Sequence, residues 1–303
     1  MREYVVRDEG IRPLLYIYGQ YCSLDKIIYA QKKFKEDFCS LLMKYLPSDV
    51  CIKFDSVDKQ IERASKYLTG KQTISLDSLY RGTCNLRISR VYSLDGGQKA
   101  FSFLTSSLDG VSIKEQVDSI PAGTYTIIED DSVAKDTVLE MIRNLKDGET
   151  LQNVVRKLKY YETNSMLKII GELRDDIVIE DVYLLSHYDN AYDTVDLRDF
   201  IFGVSNSGLK VDFGDEFYGR VPYCCPFISV NKRASIPENK EIEFSREICK
   251  LNKNMIEYLM SDLKLVETCR DFKYLMNKVY GQDLMIKMTE ICDFISDYLD
   301  KLV

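Results

Sequence analysis

The stretch TYTIIEDDSVAKDTVLEMI (residues 124–142) sets three carboxylates, Glu129, Asp130 and Asp131, between a short apolar run and the start of an amphipathic pattern. Adjacent acids repel one another, and on a solvated loop they would cost little and do nothing. Their position gives them a second meaning. In an open α/β sheet, ligands bind beyond the carboxyl ends of the strands, where a loop feeds a helix whose first amides attract an anion. Carboxylates at a strand tip accept hydrogen bonds from sugar hydroxyls, and the small residues Ser132, Val133 and Ala134 let backbone N–H groups approach a phosphate. An acid pair with an amide cradle behind it suits a phosphorylated sugar.

Other chemistry has little material. The chain has one histidine, His187, at the end of an apolar run, where a structural role is the expectation. Its nine cysteines are scattered through apolar periodic segments, form no C-x-x-C pair and read as small core residues of a reducing compartment. Cys224-Cys225 reads as packing, and neither zinc ligation nor Ser-His or Cys-His catalysis has the residues it needs.

Four largely apolar residues, two acids, a short run of small or apolar residues and a Thr opening a helix resemble the phosphoribosyl pyrophosphate (PRPP) motif of type I phosphoribosyltransferases. The match runs from Tyr125-Thr126-Ile127-Ile128 as strand, through Glu129-Asp130 as acid pair and Asp131 to Asp136 as loop, to Thr137 at the helix start. The resemblance implies that Glu129 and Asp130 are the catalytic-site acids that hold the ribose 2'- and 3'-hydroxyls. It implies that the loop Asp131, Ser132, Val133, Ala134, Lys135, Asp136 and Thr137 binds the ligand, Val133 to Thr137 wrapping the 5'-phosphate. The family moves a 5-phosphoribosyl group from PRPP to a nitrogen nucleophile and expels pyrophosphate, with Mg2+ held largely by the bound PRPP. An oxocarbenium-like transition state asks mainly for positioning and electrostatic stabilisation, so catalytic histidines are not required.

The chain departs from that pattern at three places. Asp131 stands where an apolar residue usually follows the acid pair, and Lys135 and Asp136 stand where small residues, commonly glycines, precede the Thr. Asp136 opposes a phosphate dianion unless it points away, and Lys135 can offset it. Two further ligand-binding residues follow from the resemblance: Lys59, in a loop after VCIKF where the family places its pyrophosphate loop, and Arg87, near Arg90 where it often inserts a flexible catalytic loop. A solvated hairpin with ordinary surface arginines is the competing account of the latter.

The elements that must position these residues follow from periodicity. Leu24, Ile27, Ile28, Phe34, Phe38, Leu41, Leu42 and Tyr45 recur at helical spacing, with Ser23 as cap and Pro47 beyond, which predicts a helix over 24–46. VCIKF (50–54) predicts a strand, and DSVDKQIERASKYL a loop running into a helix. NLRISRVYSL and KAFSFLTS around Gly96-Gly97 predict an antiparallel excursion; TYTII, DIVIEDVYLL (176–185) and a hairpin of GLKVDF with EFYGRVPY complete the strands. From Glu241 onward two or three amphipathic helices are expected, with Leu284, Met288, Ile291, Ile295, Tyr298 and Leu302 on one face of the last. The fold expected is α/β, a Rossmann-like parallel sheet core of phosphoribosyltransferase type with an antiparallel excursion and added helices at both ends. Its expected divisions are a helical segment at 1–45, the core with hood-like insertions at 46–237, and a helical segment at 238–303.

Residues 196–237 carry three of the six prolines and many interspersed charges. Asp196-Leu197-Arg198-Asp199 reads as an internal salt-bridged turn; the functional alternative is a hood with Arg198, Arg220 or Arg233 facing phosphate. The segment is similar to phosphoribosyltransferase-like proteins of bacterial defence modules, some of them retron-associated.

With 303 residues, 45% hydrophobic content and no low-complexity tract, the chain can form one large domain or two small ones. A net charge of −7 gives no whole-molecule attraction to nucleic acid or anionic lipid. No stretch approaches the roughly 20 apolar residues of a membrane span, and MREYVVRDEGIRP lacks the apolar core of a signal peptide, so a cytoplasmic protein is expected. Two functions stay open at this stage: an active phosphoribosyltransferase, or a catalytically degenerate relative that binds a nucleotide within a defence or regulatory assembly. A protein partner or a homo-oligomer fits either, and a ligand-free α/β interaction protein is the plainest alternative.

Overall fold

The expected N-terminal helical segment opens with a strand: Arg2–Asp8 forms β1, and Tyr4, Val5 and Val6 in it are fully buried. Three consecutive buried residues mean that both faces of the strand are covered, as in a parallel sheet between layers. β2 (Val50–Ser56) and β9 (Ala191–Asp196) pair with β1 on either side, both parallel, in the order β2-β1-β9. The computed structural model describes residues 1–77, 79–95, 98–107, 110–129, 176–185, 188, 191–214, 218–281 and 283–301. They fall into two units, residues 1–57, 92–100 and 190–303 in the first and residues 58–91 and 101–189 in the second.

In the first unit, helix α2 spans Leu24–Met43, and Ser23 accepts a hydrogen bond from the Lys26 amide at its start. Its inward stripe of Ile27, Phe34, Phe38, Leu41 and Leu42 meets Phe200 and, beyond it, Phe244 of α6 (Glu241–Met260). Phe38 and Phe200 have ring centroids 4.8 Å apart, and Phe200 and Phe244 meet edge-on at 6.2 Å. Each such ring contributes about 1.5–3 kcal/mol over its exposed state. Buried Asn252 ties α6 to the chain after β9, donating to the Phe200 carbonyl at 2.8 Å and accepting from the Phe202 amide at 2.7 Å. The tail helices continue as α7 (Arg270–Tyr280) and α8 (Met288–Asp300). α8 buries Met288, Ile291, Cys292, Ile295 and Leu299, while Tyr298 is 40% exposed and Leu284 precedes the helix. The expected stripe drifted at its end because 3.6 residues per turn brings Leu299, not Tyr298, back over Met288. Leu302 lies outside the described residues.

β10 (Leu209–Asp212) and β11 (Tyr218–Val221) form the expected antiparallel pair. They stand in the order β11-β10-β5-β6 with β5 (Ile88–Asp95) and β6 (Gln98–Ser106), and β10 meets β5 in parallel at Val211 and Tyr92.

The second unit holds an all-parallel sheet, β4-β3-β7-β8, of Cys84–Asn85, Thr73–Ser75, Gly123–Glu129 and Ile177–Leu184. Helix α3 (Val57–Tyr67) packs on it: Ala64, followed by Leu68 just past the helix end, gathers with Tyr80, Ile128 and Leu185, joined by Ile61 and Tyr183. The protein is thus a mixed α/β fold with parallel sheets, consistent with a Rossmann-like core. Among the described residues, no helix is long and apolar enough to cross a membrane.

Candidate functional site

The sheet order of the second unit fixes where a ligand could sit. From β3 the chain moves to β4 on one side, whereas from β7 it moves to β8 on the other. The point between β3 and β7 is therefore a topological switch point, and the carboxyl ends of the two strands flank it. Glu129 is the last residue of β7, paired with Leu184 of β8, and is only 6% exposed. Main-chain bonds close the edge around it: the Leu76 amide donates to the Ile128 carbonyl at 2.8 Å, and the Leu185 amide donates to the Glu129 carbonyl at 2.9 Å. The strand tyrosine of the same motif, Tyr125, is buried, and its hydroxyl donates to the Pro121 carbonyl at 2.8 Å. Asp130, Asp131, Ser132, Val133, Ala134, Lys135, Asp136 and Thr137 lie outside the described residues, as does His187.

The loop that adjoins Glu129 across the switch point is the one after β3. Asp77 accepts from the amides of Leu79 (2.6 Å) and Tyr80 (3.1 Å), and the Ser75 hydroxyl donates to the Tyr80 carbonyl at 2.8 Å. A carboxylate that ties up two amides two and three residues on makes a tight Asx-type turn. The signal for it, Ser-Leu-Asp-Ser after the run Thr-Ile-Ser, is present at residues 75–78.

The pyrophosphate loop expected at 55–59 is corrected. β2 continues through Ser56 and α3 begins at Val57, so no loop separates them, and β2 belongs to the sheet of β1, not to that of β7. Asp58 in the first turn of α3 favours the helix N-terminus, which lets the helix start at once. Lys59 is an exposed residue of that first turn. The helix carrying Lys59 does pack on β7, but through its far half, Ala64 lying about 7 Å further along at about 1.5 Å per residue. Arg87 sits at the foot of β5 with its main chain clamped. Its amide donates to Gln116 Oε1 at 2.7 Å, and its carbonyl accepts from Gln116 Nε2 at 3.2 Å and from the Ser107 amide at 2.8 Å. Gln116 is buried on α4 (Ile113–Asp118), a helix started by the reciprocal box of Ser112 and Glu115.

A charged node, of which the sequence pointed to Asp196, Arg198, Asp199 and Arg233 but not to Arg7, Asp8, Glu9 or Lys35, occupies the carboxyl edge of β2-β1-β9 in the first unit. Arg7 meets Asp196 at 3.3 Å; Arg198 pairs with Glu9; Arg233 bonds Asp199 at 2.6 Å and meets Asp196 at 3.6 Å; Lys35 meets Asp8 at 2.7 Å. Turn Leu197–Phe200 is a 3-10 helix; where an internally salt-bridged turn was expected, the ion pairs of Arg198 and Asp199 run instead to Glu9, just past β1, and to Arg233 of α5 (Asn231–Ala234). Burial pushes the carboxyl of Glu9 above its usual range, against the pull of Arg198, and pushes Asp199 up likewise against Arg233. Burial also works against the charge of Arg233, yet Asp199, Tyr223 and Asp196 hold its pKa above the ordinary value. Arg220, the third hood candidate, is engaged by Asp271 at 3.2 Å and the Gly208 carbonyl at 2.9 Å. All three arginines of residues 196–237 that could have faced phosphate therefore contact protein acceptors.

Cys224, Cys249 and Cys292 are buried, burial pushes their thiols up, that of Cys249 to about 12, and all nine cysteines are free. Among the described residues no group of three His, Cys, Asp or Glu side chains could hold a metal ion. Comparison with protein-family models, curated proteins and solved structures finds no match.

Proposed function

We propose that this chain binds PRPP, or a related phosphoribosyl nucleotide, at the carboxyl end of β7. The observation that carries the reading is the position of Glu129, first of the acid pair in the Tyr125–Thr137 motif, as the terminal residue of a central parallel strand at a switch point. Glu129 and Asp130 would accept the ribose hydroxyls, and Asp131 to Thr137 would supply amides and the Thr137 hydroxyl to the 5'-phosphate. Mg2+ would arrive on the pyrophosphate oxygens of PRPP and neutralise the leaving group. In a transfer, the bond from C1 to pyrophosphate breaks, a bond from C1 to the acceptor nitrogen forms, and that nitrogen gives up its proton. A cytoplasmic location belongs to the same proposal.

A second reading, a binding protein that no longer transfers, is favoured by one observation: Lys135 and Asp136 stand where the motif has small residues. In that form the chain would sense or carry a nucleotide within a larger defence or regulatory assembly.

Thermal denaturation with and without PRPP and Mg2+ tests the proposal, because a ligand that binds only the folded state stabilises it by about 2.7 kcal/mol at a hundred times its Kd. A rise in Tm in the wild type, abolished by Asp130→Asn, supports the site. An unchanged Tm at millimolar PRPP removes it.

A further inference from the structure

The N-terminal part of the first unit exposes apolar side chains where the charged exterior of an amphipathic helix would be expected. α2 turns Leu24, Ile28 and Tyr29 outward, 52%, 44% and 54% exposed, and Tyr29 stacks obliquely on exposed Tyr258 of α6 with ring centroids 5.1 Å apart. Tyr21, in the turn directly before α2, is 41% exposed, and Tyr16 is 74% exposed on α1 (Arg12–Tyr18). Taking about 200 Å2 for a whole ring, the exposed parts of Tyr29, Tyr258 and Tyr21 come to about 280 Å2, roughly a third of the 800 Å2 or so that each partner buries in a standard interface. An apolar patch of that size marks an interaction surface.

The charges on the same face say what covers it. At 100° per residue, Asp25 and Lys32 lie on the midline of the exposed face of α2, with Ile28 on one side of that line and Tyr29 on the other. A two-fold axis placed between Ile28 and Tyr29 and relating two antiparallel α2 helices would set Asp25 of each copy opposite Lys32 of the other. The same axis brings Ile28 against Ile28 and Tyr29 against Tyr29. Such a contact is isologous and self-complementary in both charge and apolar character. We infer that α2 is the dimer seam of this protein, its occupant a second copy of the same chain packed antiparallel about Ile28 and Tyr29. The contact does not depend on the phosphoribosyl site.

Sedimentation velocity on the full chain from about 1 to 100 µM, a range that brackets micromolar association, tests the seam. Wild type is expected to dimerise. Asp25→Lys or Lys32→Asp alone would set like charges opposite each other twice and raise the dimer Kd about tenfold, and the double variant would restore both pairs and return the Kd to within about threefold of wild type. All four side chains at the seam are exposed, and circular dichroism confirms that each variant is folded. A wild type that stays monomeric throughout, single reversals without effect, or a double variant no better than the singles would each overturn the assignment.

Discussion

Arg233 holds Asp199 through two nitrogens, Nη2 at 2.6 Å and Nε at 3.1 Å, both on Oδ2, while Asp199 Oδ1 accepts from the Gly208 amide at 3.3 Å. A single buried carboxylate thus fastens three pieces of chain: the 3-10 turn after β9, the short helix α5 and the approach to β10. Removing one partner of a buried pair strands the other charge, so Arg233→Ala is expected to cost about 3 kcal/mol. Arg233→Lys, which keeps the charge and loses the fork, should cost about half of that. Urea denaturation measures both; a loss below about 1 kcal/mol for the alanine variant would show that Asp199 is served from elsewhere.

Glu9 gives the node a pH signature. Its pKa is raised, chiefly by burial, with Arg198 lowering it and Asp196 raising it. In the window between the unfolded and folded values the folded state holds more protons than the unfolded one, so stability falls as pH rises. The contribution is fully present below the unfolded value of about 4.3 and is lost once the pH has passed the folded one. Glu9→Gln lacks this component. Denaturation curves taken from about pH 4 upward should show wild type losing stability relative to the variant and then running parallel to it. Curves parallel throughout, or a wild type that gains, would contradict the raised pKa.

Two glycines with similar backbone angles should respond differently to alanine. Gly208 has φ 72°, and a Cβ there would stand 2.1 Å from the Val221 carbonyl oxygen; Gly214 has φ 81° with open space around it. The left-handed conformation alone costs an L-residue about 1–2 kcal/mol, which is all that Gly214→Ala should lose. Gly208→Ala must also push the β11 end away and should lose 3 kcal/mol or more, on the order of the largest single-site effects. Equal losses at the two sites would rule out the steric part of this account.

Much of this architecture was legible in the sequence because the signals were local. The Ser23 cap and the stripe from Ile27 to Leu42 mark α2, and the run of β-branched and aromatic residues Thr124–Ile128 marks β7. β1 was illegible for the same reason that it matters: Glu3, Arg7 and Asp8 make REYVVRD read as polar, and only the partners Asp196, Gln31 and Lys35, distant in sequence, explain why Arg7 and Asp8 are buried. The division of strands between sheets was equally hidden. Nothing near Val50–Ser56 says that it pairs with residues 2–8 instead of with β7, because pairing partners are chosen by non-local packing. Of the candidate site, the motif located Glu129 at a strand end, while the Asp77 turn beside it needed the sheet order.

The substituted loop makes a prediction of its own under the phosphoribosyl proposal. Asp136 adds a negative charge near a phosphate dianion, so Asp136→Gly is expected to tighten PRPP binding about tenfold, and Lys135→Ala to weaken it by a similar factor. Competition against a fluorescent nucleotide analogue reads both. The opposite order of effects would mean that the loop does not face phosphate.

The most direct test of the central claim is calorimetric titration of PRPP with Mg2+ into wild type and into a Glu129→Ala/Asp130→Ala double variant. Micromolar binding to wild type that disappears in a folded double variant is the predicted result, and it would justify a screen of nitrogen acceptors for pyrophosphate release. Absence of binding to wild type, or equal binding to both proteins, would contradict a phosphoribosyl site at the end of β7.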